Sequence, residues 1–238
     1  MRLDLYLAQN KLVKSRTKAD DLIKEGKVLV NDIAITKASY NVTDEKITIT
    51  STDDYVSRGA YKLLDAIKKW KLDLNNKIVF DIGASTGGFT QVCLECGCAK
   101  VYAIDVGTNQ LDETIRQNKK VISLENTNVK DLPLLSIDDI PEIVVADLSF
   151  ISLTFLIDAL VKKYNHHYQC IFLIKPQFEL SQKEVQNGLV KSKVLRRKAV
   201  DKIKNYSTTN GFIVDGIIES PIKGKKMGNT EYLICLHK

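Results

Sequence analysis

Asp81-Ile-Gly-Ala-Ser-Thr-Gly-Gly-Phe-Thr90 is the stretch whose reading decides the fold of this 238-residue chain. It follows Ile78-Val-Phe80, a β-rich run, and leads into an amphipathic stretch that predicts a helix over Thr86–Cys96. Gly83 lets the chain turn with no side chain in the way, and Gly87 and Gly88 are expected to let backbone N–H groups approach a ligand closely. A helix N-terminus behind such a turn favours an electron-rich ligand group. Further on, a second strand, Val101–Ile104, runs into Asp105, well placed to accept hydrogen bonds from a ribose diol. Strand, small-residue turn, helix, strand and acid together predict a site for a nucleotide-like cofactor.

The order of the glycines narrows the choice. A dinucleotide fingerprint needs a second glycine where the pyrophosphate presses, and here that position is Ser85. A phosphate loop needs Gly-Lys-Ser/Thr, which the turn lacks. Asp81 at its start repels phosphate and suits a cofactor with a cationic end, such as the sulfonium and ammonium of S-adenosyl-L-methionine. An ordinary tight strand-to-helix turn is the plainer alternative.

Outward from this turn the pattern is that of a parallel α/β domain. Strands are predicted at Ile78–Ile82, Val101–Asp105, Val121–Glu125, Ile143–Asp147, Cys170–Lys175, Phe212–Glu219 and Glu231–Leu236, with helices at Ser152–Tyr164 and Val194–Tyr206. Near-continuous apolar strands such as Ile171-Phe-Leu-Ile imply a sheet covered on both faces. Ligands of such sheets sit at the carboxyl ends of the strands, which singles out Asp81, Asp105, Asp147 and Lys175. A lysine closing a buried strand needs a partner, and Asp147 on the neighbouring strand is that partner. A structural ion pair would explain both residues equally well. Lys62 lies on an apolar helical face (Ala60, Leu63, Ile67, Trp70), where most lysines are simply solvated.

The segment before Arg58 reads as a small α+β unit, with domain boundaries expected at 1–57 and 58–238. Leu3, Leu5 and Leu7 with Leu12 suggest a short helix; Ser15 caps a second, Arg16–Glu25, stopped by Gly26. Val28–Val30 and Ile33–Ile35 flank Asn31-Asp32 as a hairpin, and Glu45–Thr50 adds a strand. Arg2-Leu-Asp4, Ser15-Arg16, Ala19, Ile23 and Gly26-Lys-Val28-Leu-Val30-Asn31 resemble the S4 domain, an RNA-binding module. The unit carries nine basic and nine acidic residues, so any RNA contact must come from a local face: Lys11, Lys14, Arg16 and Lys18 gather near the start of the second helix, and Arg2 is a further expected RNA contact. From Ser181 to Lys204 eight basic residues face two acids within a chain of net charge +6; a polyanion is the expected partner, and a solvated helix surface the bland alternative.

Composition agrees with a globular protein: 44% apolar residues and four prolines. No apolar run approaches the ~20 residues of a membrane span, and the N-terminus lacks a signal-peptide core, so cytoplasmic residence is expected. Five cysteines form no secreted disulfide framework. Cys93, Cys96 and Cys98 read as small side chains packed in a helix rather than as metal ligands, so no metal is expected.

Arg58-Gly-Ala-Tyr-Lys62-Leu, the turn at Asp81, Ala146-Asp147-Leu-Ser-Phe-Ile-Ser, Ile174-Lys175-Pro-Gln-Phe-Glu and Gly228-Asn-Thr-Glu231-Tyr resemble, in order and across the chain, the TlyA family. Its members carry both haemolysin and ribosomal RNA 2′-O-methyltransferase names and join an S4 domain to an FtsJ-like methyltransferase domain. The resemblance implies a class I, Rossmann-like S-adenosylmethionine-dependent methyltransferase with a seven-stranded, mostly parallel sheet. It puts the family's Lys-Asp-Lys-Glu set on Lys62, Asp147, Lys175 and Glu231. It implies a cofactor along Asp81, Gly83, Ser85, Thr86, Gly87, Gly88 and Phe89, with ribose near Asp105 and adenine near Asn128 and Val129. The expected reaction is 2′-O-methylation of a ribose, a cytidine, in ribosomal RNA or ribosomal subunits, with Arg58, Lys191, Lys193, Arg196, Arg197 and Lys198 gripping phosphates. The short C-terminus resembles the shorter members, linked to the large-subunit site. A non-catalytic RNA-binding assembly factor, a membrane-active haemolysin and an NAD-dependent enzyme are the rival readings; sequence says nothing of oligomeric state.

Overall fold

The structure is a computed structural model describing residues 1–13, 15–50, 55–224 and 228–238, with Thr17 described by its backbone alone. The chain forms two compact units, Met1–Asp54 and Tyr55–Lys238.

In the first unit, helices α1 (Leu3–Gln9) and α2 (Arg16–Lys24) pack on strands β1 (Val28–Val30), β2 (Ile33–Ala34) and β3 (Ile47–Ile49), which form an antiparallel sheet in the order β2-β1-β3. Ser15 Oγ accepts from Lys18 N at 3.2 Å, capping α2 as its sequence predicts. Asn31 and Asp32 both take left-handed conformations, the turn that suits a twisted hairpin. Leu3, Leu7, Leu22, Ile23, Val28 and Val30 make a core of their own. Leu12 does not extend the first helix; it lies beyond Gln9 and is exposed.

The second unit begins with α3 (Gly59–Trp70) and continues as β4 (Ile78–Ile82), α4 (Gly88–Glu95), β5 (Lys100–Ile104), α5 (Glu113–Arg116), β6 (Val121–Leu124) and a 3₁₀ turn, Val129–Leu134. Then come β7 (Ile143–Ala146), α6 (Leu153–Lys163), β8 (Gln169–Ile174), α7 (Pro176–Glu179), α8 (Lys193–Thr209), β9 (Ile213–Glu219) and β10 (Tyr232–His237). They build a seven-stranded sheet in the order β6-β5-β4-β7-β8-β10-β9, parallel except for β10, which runs antiparallel to both of its neighbours. This is the class I methyltransferase fold.

Both faces are covered. Phe80, Val144, Phe172 and Ile234 pack towards α6, whereas Val79, Val145, Ile171 and Leu233 pack with Leu63 and Val92 of α3 and α4. The four strands expected to end in Asp105, Glu125, Asp147 and Lys175 each stop one residue earlier. That shift matters chemically, because a side chain just past a strand's end is free to leave the plane of the sheet. Strand order reverses between β4 and β7, so a crevice opens at their carboxyl ends. In the β8–β10 pairing Tyr232 faces Ile174. Glu231 and Lys175, the adjoining residues, therefore emerge side by side at that same edge.

Candidate active site

A cleft of about 930 Å³ lies along this edge, lined by Gly83, Ser85, Asp105, Asn128, Val129 and Asp147 among others. Gly83 has φ +83°, and a Cβ there would stand 2.9 Å from the backbone oxygen of Asp147. Only glycine lets the turn after β4 lie this close to the segment after β7. Asp105 closes the turn, its Oδ2 accepting from Ser85 N at 2.8 Å and its Oδ1 from Gly107 N at 2.7 Å. A carboxylate has about four lone-pair sites, so two remain for a sugar diol. Asn128 Oδ1 accepts from Lys130 N and starts the 3₁₀ turn, leaving Val129 on the cleft wall.

Other members of the expected cofactor set lie behind this wall for packing reasons. A Cβ on Gly88 would sit 2.1 Å from Ser57 Oγ, and one on Gly87 2.8 Å from Leu111 Cδ1. These glycines admit the close approach of neighbouring protein atoms. Phe89 is buried in the core between α3 and α4, and the Thr86 carbonyl accepts from Asp112 N.

Asp81 is also displaced from the expected contact. Alternation along β4 turns it to the face of α3 and α4, where it is fully buried and its Oδ2 accepts from Thr90 Oγ1 at 2.6 Å. Its Oδ1 has no hydrogen-bond partner among the described residues. Burial, with the charge of Asp147 adding to it, pushes the Asp81 carboxyl up to about 7, against the pull of its Thr90 hydrogen bond.

Lys62, Asp147, Lys175 and Glu231 converge. Lys62 Nζ donates to Glu231 Oε2 at 2.6 Å and stands 3.8 Å from Asp147 Oδ2; Lys175 Nζ contacts Asp147 Oδ1 at 2.6 Å. The Lys175–Asp147 approach lies off the hydrogen-bonding axis, so that contact is an ion pair rather than an aligned hydrogen bond. Charges alternate along the chain Glu231–Lys62–Asp147–Lys175, and the set is neutral overall. Lys62 and Glu231 are buried; each compensates the desolvation of the other. Lys175 Nζ also donates to Ser149 Oγ at 2.7 Å.

A second pocket of about 390 Å³, lined by Lys175, Glu231, Asn187 and Gly188, adjoins the cleft. Ser149, Phe150, Gln177 and Phe178 line both spaces. Phe150 is 83% exposed and sits at φ +65°, a conformation bulky residues rarely take; its ring packs on Phe178 with centroids 5.1 Å apart. Sequence reading passed over Ser149, Phe150, Gln177 and Phe178. Two of them follow Asp147 within Asp147-Leu-Ser-Phe150 and two follow Lys175, so position after a strand end was the available signal. Glu179 ties the two segments together: its Oε1 accepts from Leu153 N at 2.8 Å, and its Oε2 from Ser152 Oγ at 2.5 Å and Lys202 Nζ at 3.1 Å.

The expected RNA contacts divide into committed and outward-facing groups. Arg2 and Arg16 both hold buried Asp4, with Arg2 Nε–Oδ1 at 3.0 Å and Arg16 Nε–Oδ2 at 2.8 Å. The Arg2 hydrogen bond, with Arg16 adding to it, keeps the Asp4 carboxyl well below the usual range. Their side chains remain about half exposed, at 44% and 55%. Lys11 is exposed, Lys18 and Arg58 are half-buried, and Lys14 lies outside the described residues. Arg196 turns inward and donates to the carbonyls of Val190 and Lys191, while Lys198 pairs with Glu184 at 2.5 Å. Lys191, Lys193 and Arg197 stay exposed. Cys93 and Cys98 are buried, and no cluster of three or more His, Cys, Asp or Glu among the described residues is arranged to hold a metal. No described helix is long and apolar enough to cross a membrane.

Residues 55–238 match the FtsJ-like methyltransferase family and residues 1–47 the S4 domain. Hemolysin A of Brachyspira hyodysenteriae is 40% identical over 98% of both chains. The 16S/23S rRNA (cytidine-2′-O)-methyltransferase TlyA of Mycobacterium tuberculosis is 37% identical over 99% of this chain and 89% of its own. A solved Streptococcus thermophilus structure bearing a hemolysin name is 35% identical, with a TM-score of 0.80 over all of this chain and 88% of that one. With its S4 unit, its FtsJ-like unit and full-length relatives, the chain belongs to the TlyA family of methyltransferases.

Proposed function

We propose that this protein transfers a methyl group from S-adenosyl-L-methionine to the 2′-hydroxyl of a cytidine in ribosomal RNA. The observation that carries this reading is the convergence of Lys62, Asp147, Lys175 and Glu231 in the wall between the cleft and the adjoining pocket. The larger cleft fits the cofactor by its charge. Asp105 and Asp147 line it against a single cation, Lys130. Asp105, bonded to backbone N–H groups, presents its carboxylate there to a sugar diol and disfavours the phosphates of a dinucleotide. The bound cofactor supplies an electrophilic methyl on a sulfonium.

The protein's own groups do the rest. Lys175 accepts or steers the proton of the attacking hydroxyl, Asp147 holds Lys175, and Glu231 fixes Lys62 where it orients the same oxygen. Phe150 offers an exposed ring on which the base of an extruded nucleotide can stack. The first unit, with Lys191, Lys193 and Arg197 of the second, contacts phosphates. A ribosomal substrate makes the cytoplasm the site of action.

Mapping of ribose methylation in ribosomal RNA with and without the protein tests this reading. One cytidine 2′-O-methyl group is expected to appear with the parent protein and to be absent with Lys175→Ala. Unchanged methylation, or full activity of Lys175→Ala, would sink it.

A further inference from the structure

The reading above asks Lys175 to face a hydroxyl in the smaller pocket, and an ammonium on a flexible stem has no intrinsic reason to do so. We infer that Ser149 is a positioning residue that aims the Lys175 nitrogen into that pocket. This inference rests on the proposed function.

Lys175 Nζ has two protein neighbours on the side of the strand after β7: Asp147 Oδ1 at 2.6 Å and Ser149 Oγ at 2.7 Å. A neutral amine carries two N–H bonds and one lone pair. With Ser149 taking an N–H and the Asp147 carboxylate holding the nitrogen by charge on the same side, the lone pair is left pointing away from both, into the pocket that Lys175 and Glu231 line. When the nitrogen is protonated, the same two neighbours leave an N–H on that side, available to the substrate oxygen. Asp147 alone holds the nitrogen by charge without an aligned hydrogen bond, and the amine then rotates about its stem, averaging the lone pair between pocket and protein.

The backbone sets the serine for this task. Ser149 stands three residues past the end of β7, and Phe150 directly after it turns the chain sharply at φ +65°. Glu179 anchors the far side of the same loop through Ser152 Oγ and Leu153 N. The hydroxyl is thus held on a loop pinned at both ends. Ser149 is itself exposed and lines both spaces, so no packing requirement accounts for its hydroxyl.

The test uses the full chain with Ser149→Ala, Ser149→Thr and Lys175→Ala. Single-turnover methylation of undermethylated ribosomal RNA gives the rate, calorimetry gives cofactor affinity, and filter binding gives RNA affinity. Ser149→Ala is expected to slow transfer about tenfold with both affinities unchanged, while Ser149→Thr retains the parent rate. A second readout needs no cofactor. The Lys175 ammonium proton signal in ¹⁵N NMR, assigned by its loss in Lys175→Ala, is expected to exchange with water faster in Ser149→Ala and to recover in Ser149→Thr. Parent-like transfer and exchange in Ser149→Ala, equal losses of affinity and rate, or no recovery with threonine would each overturn the role given to Ser149. Full activity of Lys175→Ala would instead overturn the underlying reading of the site.

Discussion

Single side chains carry the sharpest expectations. Lys175→Ala is expected to lower the rate of transfer by roughly 10²- to 10⁴-fold, the range for a positioned general base, with cofactor affinity measured by calorimetry nearly unchanged. Phe150→Ala is expected to raise the KM for RNA about tenfold through loss of one stacked base, leaving cofactor affinity alone. Asp81 gives a pH dependence. Its carboxyl, raised from 3.8 to about 7, makes folding take up a proton between those values. Its contribution to stability therefore declines as pH rises through that window. Asp81→Asn lacks this titration, so urea denaturation is expected to show the variant gaining on the parent, by up to a few kcal/mol, from about pH 4 to about pH 7. A constant difference across the window would contradict the assignment. Asp105, Asp147 and Lys175 could be picked out in the sequence because each follows an apolar strand. The orientation of Asp81 could not, since which face of β4 meets α3 and α4 depends on how the helices pack, and Asp81 is buried away from the cleft by that choice alone. Gly87 and Gly88 carry the same lesson: a glycine signals that something comes close, but not what.

At the level of elements, the strands and long helices of the second unit are legible because their apolar patterns are strong, as in Ile143–Ala146 and Ile171–Ile174. Pairing is another matter. The run at Tyr232–His237 predicts a strand, but its antiparallel place between β8 and β9 follows from register with Ile174 and Glu219, partners distant in sequence. Short pieces such as α7, only four residues long, leave no periodic trace. Yet α7 is joined to α6 by Glu179, whose carboxylate serves Leu153 N, Ser152 and Lys202. Glu179→Ala strands these donors and is expected to lower stability by about 2 kcal/mol in chemical denaturation. Within α8 the basic residues are unequal. Arg196 is spent on two carbonyls, so Arg196→Ala is expected to reduce Tm, whereas Arg197→Ala leaves Tm unchanged and weakens RNA binding with a shallower salt dependence.

For the molecule as a whole, each unit owns its core, Leu3 to Val42 in the first and two larger clusters flanking the sheet in the second. The fragment 55–238 is therefore expected to fold and to bind the cofactor as the full chain does. Its affinity for ribosomal RNA is expected to fall on the order of tenfold as the phosphate contacts of the first unit are lost; equal RNA affinities would assign that unit another task.

Lys62 and Glu231 make their 2.6 Å contact across 169 positions of sequence, and Glu231 reaches it only because β10 inserts between two strands already translated. On the proposed reading, a nascent chain can thus have emerged well past this cleft and still lack methyl transfer. Competence arrives with the closing strand, so truncated or stalled translation products are expected to occupy RNA without ever marking it.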